Sequence, residues 1–321
     1  MNDTQIDVLA IGEPLALIDP IESGPLERVD SFKMRVAGAE MNALIGLARL
    51  GHSTAFVSAV GDDPFGRLVR RSLQSEGIDT SFVHTGRAHT GVFFKERLGA
   101  HGRRVYYYRD RSAASKTRPG SAIKALDHFR PRIALMSGLT LGLGTGDGLG
   151  SAAETMIHEA HRRGCTVVFD ANLRPGIWHG ETAREQFASV AGHLDHLLAG
   201  ESELATLSAD ADVERSVAEL LALGLSSVVV KYGREGSTVH TAAGSTSIRP
   251  HVVEAVDSIG AGDAFAAGFT SGLLRGWSPN SAARLGSAMG AHAVAGTGDW
   301  ESLPTGENAR QLVANAESVI A

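Results

Sequence analysis

Residues 54–76, TAFVSAVGDDPFGRLVRRSLQSE, join a short apolar run to a longer amphipathic stretch, and this pairing decides the fold. Thr54–Val60 is rich in β-branched and aromatic residues and predicts a buried strand. Phe65–Glu76 repeats apolar residues at helical spacing and predicts a helix with one apolar side. A strand, a turn and a helix in this order are typical of units that place successive strands parallel in one sheet.

The same alternation continues in both directions along the chain. Other apolar runs predict buried strands at Ile6–Ile11, Ile133–Met136, Thr166–Phe169, His196–Leu198 and Ser227–Lys231. Further amphipathic stretches predict helices at Glu40–Leu50, Leu149–Arg163, Thr182–Ala191 and Asp212–Leu223. We therefore predict an α/β fold with a mainly parallel sheet covered on both faces, and ligands at the carboxyl ends of its strands.

Some stretches interrupt this alternation. Phe32–Val36 and Thr90–Arg109 alternate polar and aromatic residues and predict antiparallel strands, which we expect to form a small accessory sheet. Ser237–Pro250 predicts a hairpin, and two stretches rich in Ala and Gly, Gly260–Arg275 and Asn280–Ala295, predict close-packed helices. Nothing in the composition marks a linker, so we predict one main domain with an insertion.

Composition narrows the class of protein. The chain has 321 residues, 43% of them hydrophobic, which suffices for a large core. A formal net charge of -6 argues against nucleic acid or an anionic membrane as the main partner. Cys165 is the only cysteine, so no internal disulfide can form, which suits a reducing compartment. With no apolar run of about 18 residues, we expect no membrane span and a cytoplasmic protein.

Two common nucleotide-binding motifs are absent from the sequence. The first strand is followed by Gly12-Glu13-Pro14 instead of G-x-G-x-x-G, which argues against a dinucleotide-dependent oxidoreductase. No Gly-Lys pair occurs, so the chain has no P-loop of the G-x-x-x-x-G-K-[ST] type.

The segment Asp257–Phe265, DSIGAGDAF, is the strongest candidate for chemistry. Gly260, Ala261 and Gly262 open an Ala-rich helix, where backbone N–H groups and about half a positive charge favour an anion such as a phosphoryl group. Asp263, in the first helical turn, is placed to accept the proton of a substrate hydroxyl. The alternative is that this Asp only favours the helix N-terminus.

Four other segments are candidate binding sites. Asn42 is a polar residue in an apolar helix opened by small residues, and suits hydroxyl groups; close helix packing is the alternative for the small residues. Tyr107 and Arg109 share one side of a strand and suit a sugar acid, because arginine binds carboxylates bidentately; an exposed edge strand is the alternative. Two loops follow buried strands, one with Asp170, Asn172 and Arg174 on alternate positions and one from Lys231 to Gly236, and both are also compatible with plain turns.

Together these motifs resemble the ribokinase (PfkB) family of sugar kinases. The similar segments are the D-x-x-G-A-G-D-x-F core within Val256–Phe269, the stretch from Ala37 to Gly51, and Val60–Gly66, in the family's order. The resemblance implies a ribokinase-like three-layer α/β/α fold with a mainly parallel central sheet and a small β-sheet lid. The chain would then be a single kinase domain, residues 1–321, with lid strands inserted at about 13–36 and 90–110.

Within the family, the chain is similar to 2-keto-3-deoxygluconate kinases. The similar features are Gly12-Glu13-Pro14, the Tyr-Tyr-Arg segment before Ser112-Ala113-Ala114, and the Asp-x-Asn-x-Arg segment ending in Trp178. The likeness implies phosphorylation of the terminal hydroxyl of 2-keto-3-deoxygluconate, with ATP and Mg²⁺, by a homo-oligomer that forms dimers through the lid. A neutral-sugar kinase for fructose or ribose is the alternative, and a non-catalytic sugar or nucleotide sensor is a more distant one.

The resemblance also implies roles for individual residues. Asp263 would be the catalytic base, with Gly260, Ala261 and Gly262 stabilising the transferred group. The residues expected to contact the sugar acid are Gly38, Asn42, Phe93, Tyr107, Arg109, Arg174 and Asp263. The residues expected on the nucleotide side are Asn172, Lys231, Gly233, Gly236, Gly260, Gly262 and Ser287. Glu203 would act on the metal through a water molecule.

The chain departs from the family pattern at four positions. Ala37 replaces a usual Gly, and Phe93 replaces a lid Tyr, which removes one hydroxyl contact. Gly200 replaces the Asn of an N-x-x-E motif of which Glu203 remains, and Ser287 replaces an Asn common beside adenine. These changes concern substrate and nucleotide preference and leave the reaction class unchanged.

Overall fold

The computed structural model describes residues 4–99, 102–143, 146–174, 176–178, 180–208, 210 and 212–318. Residues 100 and 101 of the predicted stretch Thr90–Arg109 lie outside them. The main sheet has nine strands in the order β13-β12-β11-β10-β9-β8-β1-β4-β5. Along the chain these strands are β1 (Thr4–Ile11), β4 (Thr54–Gly61), β5 (Val83–Gly86), β8 (Phe129–Ser137), β9 (Thr166–Asp170), β10 (His196–Gly200), β11 (Ser227–Lys231), β12 (Ser237–Thr241) and β13 (Gly244–Ile248).

The pairing makes the sheet mainly parallel. β1 pairs in parallel with both β4 and β8, and the parallel pairing continues through β9 and β10 to β11. Only the hairpin β12–β13 runs antiparallel to its neighbours within the described sheet. The carboxyl ends of the parallel strands therefore meet at one edge, where ligands are expected.

Helices cover both faces of this sheet. They are α1 (Ala39–Arg49), α2 (Pro64–Ser75), α3 (Pro119–His128), α4 (Gly138–Leu141), α5 (Leu149–Arg162), α6 (Gly180–Ala191), α7 (Glu201–Ser208), α8 (Val213–Ala222), α9 (Ala261–Leu274), α10 (Pro279–Val294) and α11 (Gly306–Ser318). Among these described helices, none combines the length and the apolar character that a membrane crossing requires.

The strand β1 shows how the layers are held together. Leu9 and Ile11 pack into one core with residues of α5 and α6, whereas Val8 and Ala10 pack into a second core with residues of α1 and α9. Because successive strand side chains point to opposite faces, this alternation buries both faces of the sheet. The three-layer α/β/α prediction is confirmed.

A second, four-stranded sheet forms the lid. Its order is β3-β2-β6-β7, and its strands are β2 (Leu15–Pro20), β3 (Phe32–Ala37), β6 (Val92–Arg97) and β7 (Arg103–Tyr108). The pairs β2–β3 and β6–β7 are antiparallel, and β2–β6 is parallel. These strands come from the two predicted insertions and place one side of the small sheet over the carboxyl edge of the main one.

Candidate active site

A cavity of about 160 Å³ lies between the lid and the carboxyl edge of the main sheet. The lid contributes aromatic and basic side chains to the cavity. The helix α9, which packs on the main sheet, contributes the residues at its start. All the residues predicted to contact a sugar acid line this cavity: Gly38, Asn42, Phe93, Tyr107, Arg109, Arg174 and Asp263. The sequence segments that supply them are far apart, so the fold brings them together at one place.

The start of α9 forms the floor of the cavity. Gly260 precedes Ala261, the first helical residue, and adopts a left-handed conformation with φ 79° and no side-chain cap. A Cβ at Gly260 would lie 2.0 Å from the backbone oxygen of Asp299, whereas a Cβ at Gly262 would lie 3.8 Å from Lys231 Nζ, an ordinary contact. The left-handed backbone and the nearby oxygen of Asp299 therefore require a glycine at position 260. Because no side chain caps the N-terminus of α9, an anion could reach its backbone N–H groups.

Two asparagines hold the carboxylate of Asp263. Asn42 donates from Nδ2 to one oxygen at 2.7 Å, and Asn172 donates from Nδ2 to the other at 3.2 Å. Burial raises the pKa of Asp263 to about 8, against the opposing effects of the Asn42 hydrogen bond and the Arg174 charge. In the free protein the ionised form of Asp263, which is the form able to accept a proton, therefore increases as the pH rises through about 8.

Asn172 was predicted on the nucleotide side, and its side chain bonds to Asp263. Its backbone has φ 37°, a left-handed value that asparagine tolerates better than most residues. This turn directs the side chain back over the end of β9.

Asn42 retains a buried Oδ1 with no hydrogen-bond partner among the described residues. That oxygen is available to a hydroxyl group in the cavity.

Arg109 is held in place by an acidic residue that the sequence analysis did not assign to the site. Its Nε donates to Glu13 Oε2 at 2.7 Å and its Nη2 donates to the same oxygen, while Ser112 donates to Glu13 Oε1. The guanidinium lies 5.4 Å from the ring centre of Tyr107, which stacks on Phe93. Nη1 of Arg109 is buried and has no partner within the described structure. Much of the positive charge is compensated, but one donor remains for a ligand.

Arg174 lies at the mouth of the cavity and is exposed. No ion pair joins it to any residue in the described ranges, and its charge opposes the increase in the pKa of Asp263. Its positive charge is thus less compensated than that of Arg109, and it faces solvent from which an anionic substrate would enter.

Lys231, also predicted on the nucleotide side, lies beside the start of α9. Lys231 Nζ lies 2.6 Å from Asp170 Oδ1. Burial lowers the pKa of Lys231, but the negative charges of Asp170 and Glu203 outweigh burial, so the pKa is raised and the ammonium stays charged. Because Lys231 also lies beside Gly262, its charge is close to the N-terminus of α9.

The glycines and the serine predicted with Lys231 have structural contacts of their own. Gly233 and Gly236 have φ 60° and 99°, and a Cβ at Gly236 would lie 2.2 Å from the backbone oxygen of Ile248. Gly236 is therefore required for the hairpin whether or not a nucleotide binds. Ser287 Oγ accepts from the backbone N–H of His251 at 3.3 Å.

Glu203 uses both carboxylate oxygens on backbone amides. Oε1 accepts from Leu173 N at 2.9 Å, and Oε2 accepts from Gly200 N at 2.7 Å. In the part of the chain that the structure describes, no three His, Cys, Asp or Glu residues group closely enough to hold a metal ion. The carboxylate of Glu203 therefore joins the end of β10 to the loop after β9.

A sequence profile described as pfkB family carbohydrate kinase matches residues 5–306. The chain belongs to this family. As a pfkB family carbohydrate kinase, the protein transfers a phosphoryl group to a sugar hydroxyl.

Similar proteins cover nearly the whole of this carbohydrate kinase. It is 32% identical over 320 residues to the 2-dehydro-3-deoxygluconokinase of Bacillus subtilis, with 98% of each chain covered. It is 33% identical over 316 residues to the 2-dehydro-3-deoxygluconokinase of Thermoproteus tenax, with 97% of this chain and 95% of the relative covered. The crystal structure of a PfkB protein from Polaromonas sp. JS666 matches with a TM-score of 0.84 at 33% identity, covering 96% of this chain and 99% of the other.

The kinase cavity also contains residues that the sequence did not indicate. Besides Glu13, these are Lys95 on β6 and Asp299 in the loop after α10, which form a buried ion pair. Their positions in the chain differ by 204 residues, and no motif links them. Only the folded structure identifies them as partners.

Proposed function

We propose that the protein, acting as one kinase domain in the cytoplasm, phosphorylates 2-keto-3-deoxygluconate (2-dehydro-3-deoxygluconate) or a close sugar acid at its terminal hydroxyl, with ATP and Mg²⁺. The observation that supports a sugar acid is the presence of two guanidinium groups at the cavity of Asp263. Arg109 Nη1 is a buried donor without a partner, and Arg174 lacks an ion pair among the described residues. The names of the Bacillus and Thermoproteus relatives support the same substrate.

The polarity of the cavity fits a molecule with a carboxylate at one end and a hydroxyl at the other. The carboxylate would accept from Arg109 and Arg174, while Phe93 and Tyr107 form the apolar wall between the two ends. A terminal hydroxyl would then lie at Asp263. A neutral sugar would leave Nη1 of Arg109 without an acceptor and Arg174 without a charged partner, and binding it would desolvate both groups without compensation.

The chemistry then follows from Asp263 and the start of α9. The substrate hydroxyl loses its proton to Asp263 as its oxygen bonds to the γ-phosphorus, and the bond from that phosphorus to the departing ADP breaks. Backbone N–H groups at Gly260–Gly262 and the charge of Lys231 stabilise the negative charge on the transferred group. Mg²⁺, held by the nucleotide with Glu203 acting through water, would neutralise phosphate charge.

A substrate panel tests the proposal. We expect ADP release to saturate with 2-keto-3-deoxygluconate, and kcat/KM for it to exceed that for fructose or ribose by about 100-fold or more, because a buried donor is left unpaired by a neutral sugar. In the Arg174→Gln variant, kcat/KM for the sugar acid should fall by about 100-fold, while any rate with fructose stays unchanged.

The control is Arg67→Gln, which removes an arginine that is 67% exposed on α2 and should leave every rate unchanged. Equal kcat/KM values for fructose and the sugar acid in the wild-type protein would favour a neutral-sugar kinase. No saturation with any sugar would favour a non-catalytic sensor.

We also infer a homodimer formed through the lid. Apolar side chains are exposed on its surface, with Met34 at 58% and Tyr108 at 63%. Burying them against a second lid would remove apolar area from water. We expect the wild-type protein to sediment as a dimer at micromolar concentration, and the Met34→Glu, Tyr108→Glu double variant to sediment as a folded monomer. A monomeric wild-type protein would contradict this inference.

A further inference from the structure

The lid contains a buried lysine, Lys95, that forms an ion pair with an aspartate outside the lid. Lys95 lies on β6 and is 1% exposed, and its Nζ donates to Oδ1 of Asp299, which is 6% exposed. Burying two charges costs free energy that good geometry only partly offsets, so such a pair is weak evidence for stability alone. A buried ion pair of this kind can instead fix the relative position of the two segments that it joins.

Asp299 lies directly against the anion-binding turn. Its backbone oxygen occupies the space in which a Cβ of Gly260 would sit, only 2.0 Å from that position. The left-handed turn at Gly260 therefore packs directly against the peptide of Asp299. Through this contact a displacement of Asp299 would reach the first N–H groups of α9, where the transferred phosphoryl group is expected.

The two residues after Asp299 are also bonded to the lid. Trp300 Nε1 donates to the backbone oxygen of Val36 at 2.9 Å, and Arg35 pairs with Glu301 at 2.5 Å. Glu301 Oε2 in turn accepts from the backbone N–H of Asp299 at 3.0 Å. The segment Asp299–Glu301 thus connects β3 and β6 of the lid to the turn at Gly260.

We propose that Lys95 is a positioning residue that couples the position of the lid to the anion-binding turn through Asp299. This inference rests on the proposed kinase function and adds a regulatory connection within the same site. When the lid lies over a sugar, Lys95 holds Asp299 against Gly260, and the N–H groups of α9 point at the phosphoryl group. When the lid moves away, Asp299 loses its partner and the turn is no longer held in that geometry.

The test compares Lys95→Met with Arg97→Met. Arg97 lies on the same strand, and its partner Asp19 on β2 also pairs with Arg35. Loss of Arg97 therefore leaves Asp19 with a cation and leaves the contact of Arg35 with Glu301 in place. We expect kcat to fall by about 100-fold in Lys95→Met, as misplacement of reacting groups by about 1 Å does, and to change by less than about threefold in Arg97→Met. The KM for ATP should stay within about threefold in both variants.

A second measurement needs no substrate. Hydrogen exchange of the backbone amides at 261–264 should be at least about tenfold faster in Lys95→Met than in the wild-type protein, and unchanged in Arg97→Met. If Lys95→Met does not fold, the Lys95→Met, Asp299→Asn double variant removes the unpaired buried carboxylate and should show the same faster exchange.

The outcomes separate this inference from the proposed function. Equal exchange at 261–264 in the Lys95 and Arg97 variants would overturn the coupling, as would an unchanged kcat in Lys95→Met. If the wild-type protein phosphorylates none of the sugars tested, the proposed function fails. The exchange comparison still supports or overturns the coupling in that case.

Discussion

The Asp263→Asn variant should lose about 10³- to 10⁴-fold in kcat while its KM for the sugar stays nearly unchanged. The substitution removes the group that accepts the hydroxyl proton, and a positioned base contributes about this much. The side chain keeps its shape and its neighbours, because the amide of Asn42, whose Oδ1 is buried without a partner in the described structure, can rotate to accept from the new amide. An ADP-release assay and calorimetric sugar binding measure the two quantities. Full activity would contradict the base assignment.

The same variant gives a pH signature in stability. Burial raises the pKa of Asp263 from 3.8 to about 8, so between these values the folded chain binds a proton that the unfolded chain releases. The free energy of unfolding therefore falls with rising pH through this window, by at most about 1.4 kcal/mol per pH unit from this group. Because Asp263→Asn cannot ionise, its Tm relative to the wild-type protein should rise between pH 5 and pH 8. A Tm difference independent of pH would show that the carboxyl is not perturbed.

The second large effect is expected for Gly260→Ala. The left-handed φ of 79° costs alanine about 1 kcal/mol, and its Cβ would in addition lie 2.0 Å from the backbone oxygen of Asp299. Relief of that contact has to move the backbone, so we expect a total loss of about 3 kcal/mol or more in stability. We also expect at least about a 100-fold loss in kcat/KM, because the helix start no longer directs its N–H groups at the phosphoryl group.

The chain offers a matched control at the other end of the same helix. Gly276 has φ 78°, but a Cβ there would meet no atom within 4 Å. Gly276→Ala should therefore lose only the backbone cost of about 1 kcal/mol and keep its kcat/KM. Chemical denaturation and steady-state kinetics on both variants measure the difference. Equal losses in the two variants would show that the contact with Asp299 is unimportant.

Most parallel strands of the main sheet are predictable because each is a short apolar run between longer amphipathic stretches. The strand β5 gives no such signal, because it buries Val83 alone among its four residues. Ser227–Lys231 coincides with β11, and the helix predicted at Leu149–Arg163 ends one residue beyond α5. Four helices, α3, α4, α7 and α11, are not among the predicted ones. α7 begins at Glu201 directly after β10 ends at Gly200, without an intervening turn, and α11 buries only Ala309 and Val313 among its described residues. α3 is not predicted either, although its buried residues Ala122, Ala125 and Leu126 follow helical spacing.

Candidate site residues are predictable where a local motif contains them. Gly260–Asp263 and Asn42 follow from small residues at a helix start, and the structure places Gly260, Asp263 and Asn42 on one cavity. Ion pairs between distant segments are not predictable in this way. Lys95 and Asp299 form a pair only because β6 crosses the loop after α10, and neither residue belongs to a recognisable spacing. The side on which Asn172 lies depended on its left-handed backbone, which sequence alone does not specify.

The origin of the lid in two insertions affects how such an enzyme can evolve. The lid strands supply Leu15, Ala37, Phe93, Lys95, Val105 and Tyr107 to the cavity, whereas Asp263 and the turn at Gly260 come from a later part of the chain. Mutations in the insertions can thus change which sugar is accepted without disturbing the parallel sheet beneath. Lys95 limits this freedom, because a lid adapted to a new sugar would still need a cation opposite Asp299. Mutations elsewhere in the lid can therefore change sugar selectivity alone, whereas a mutation of this ion pair changes selectivity and catalysis together.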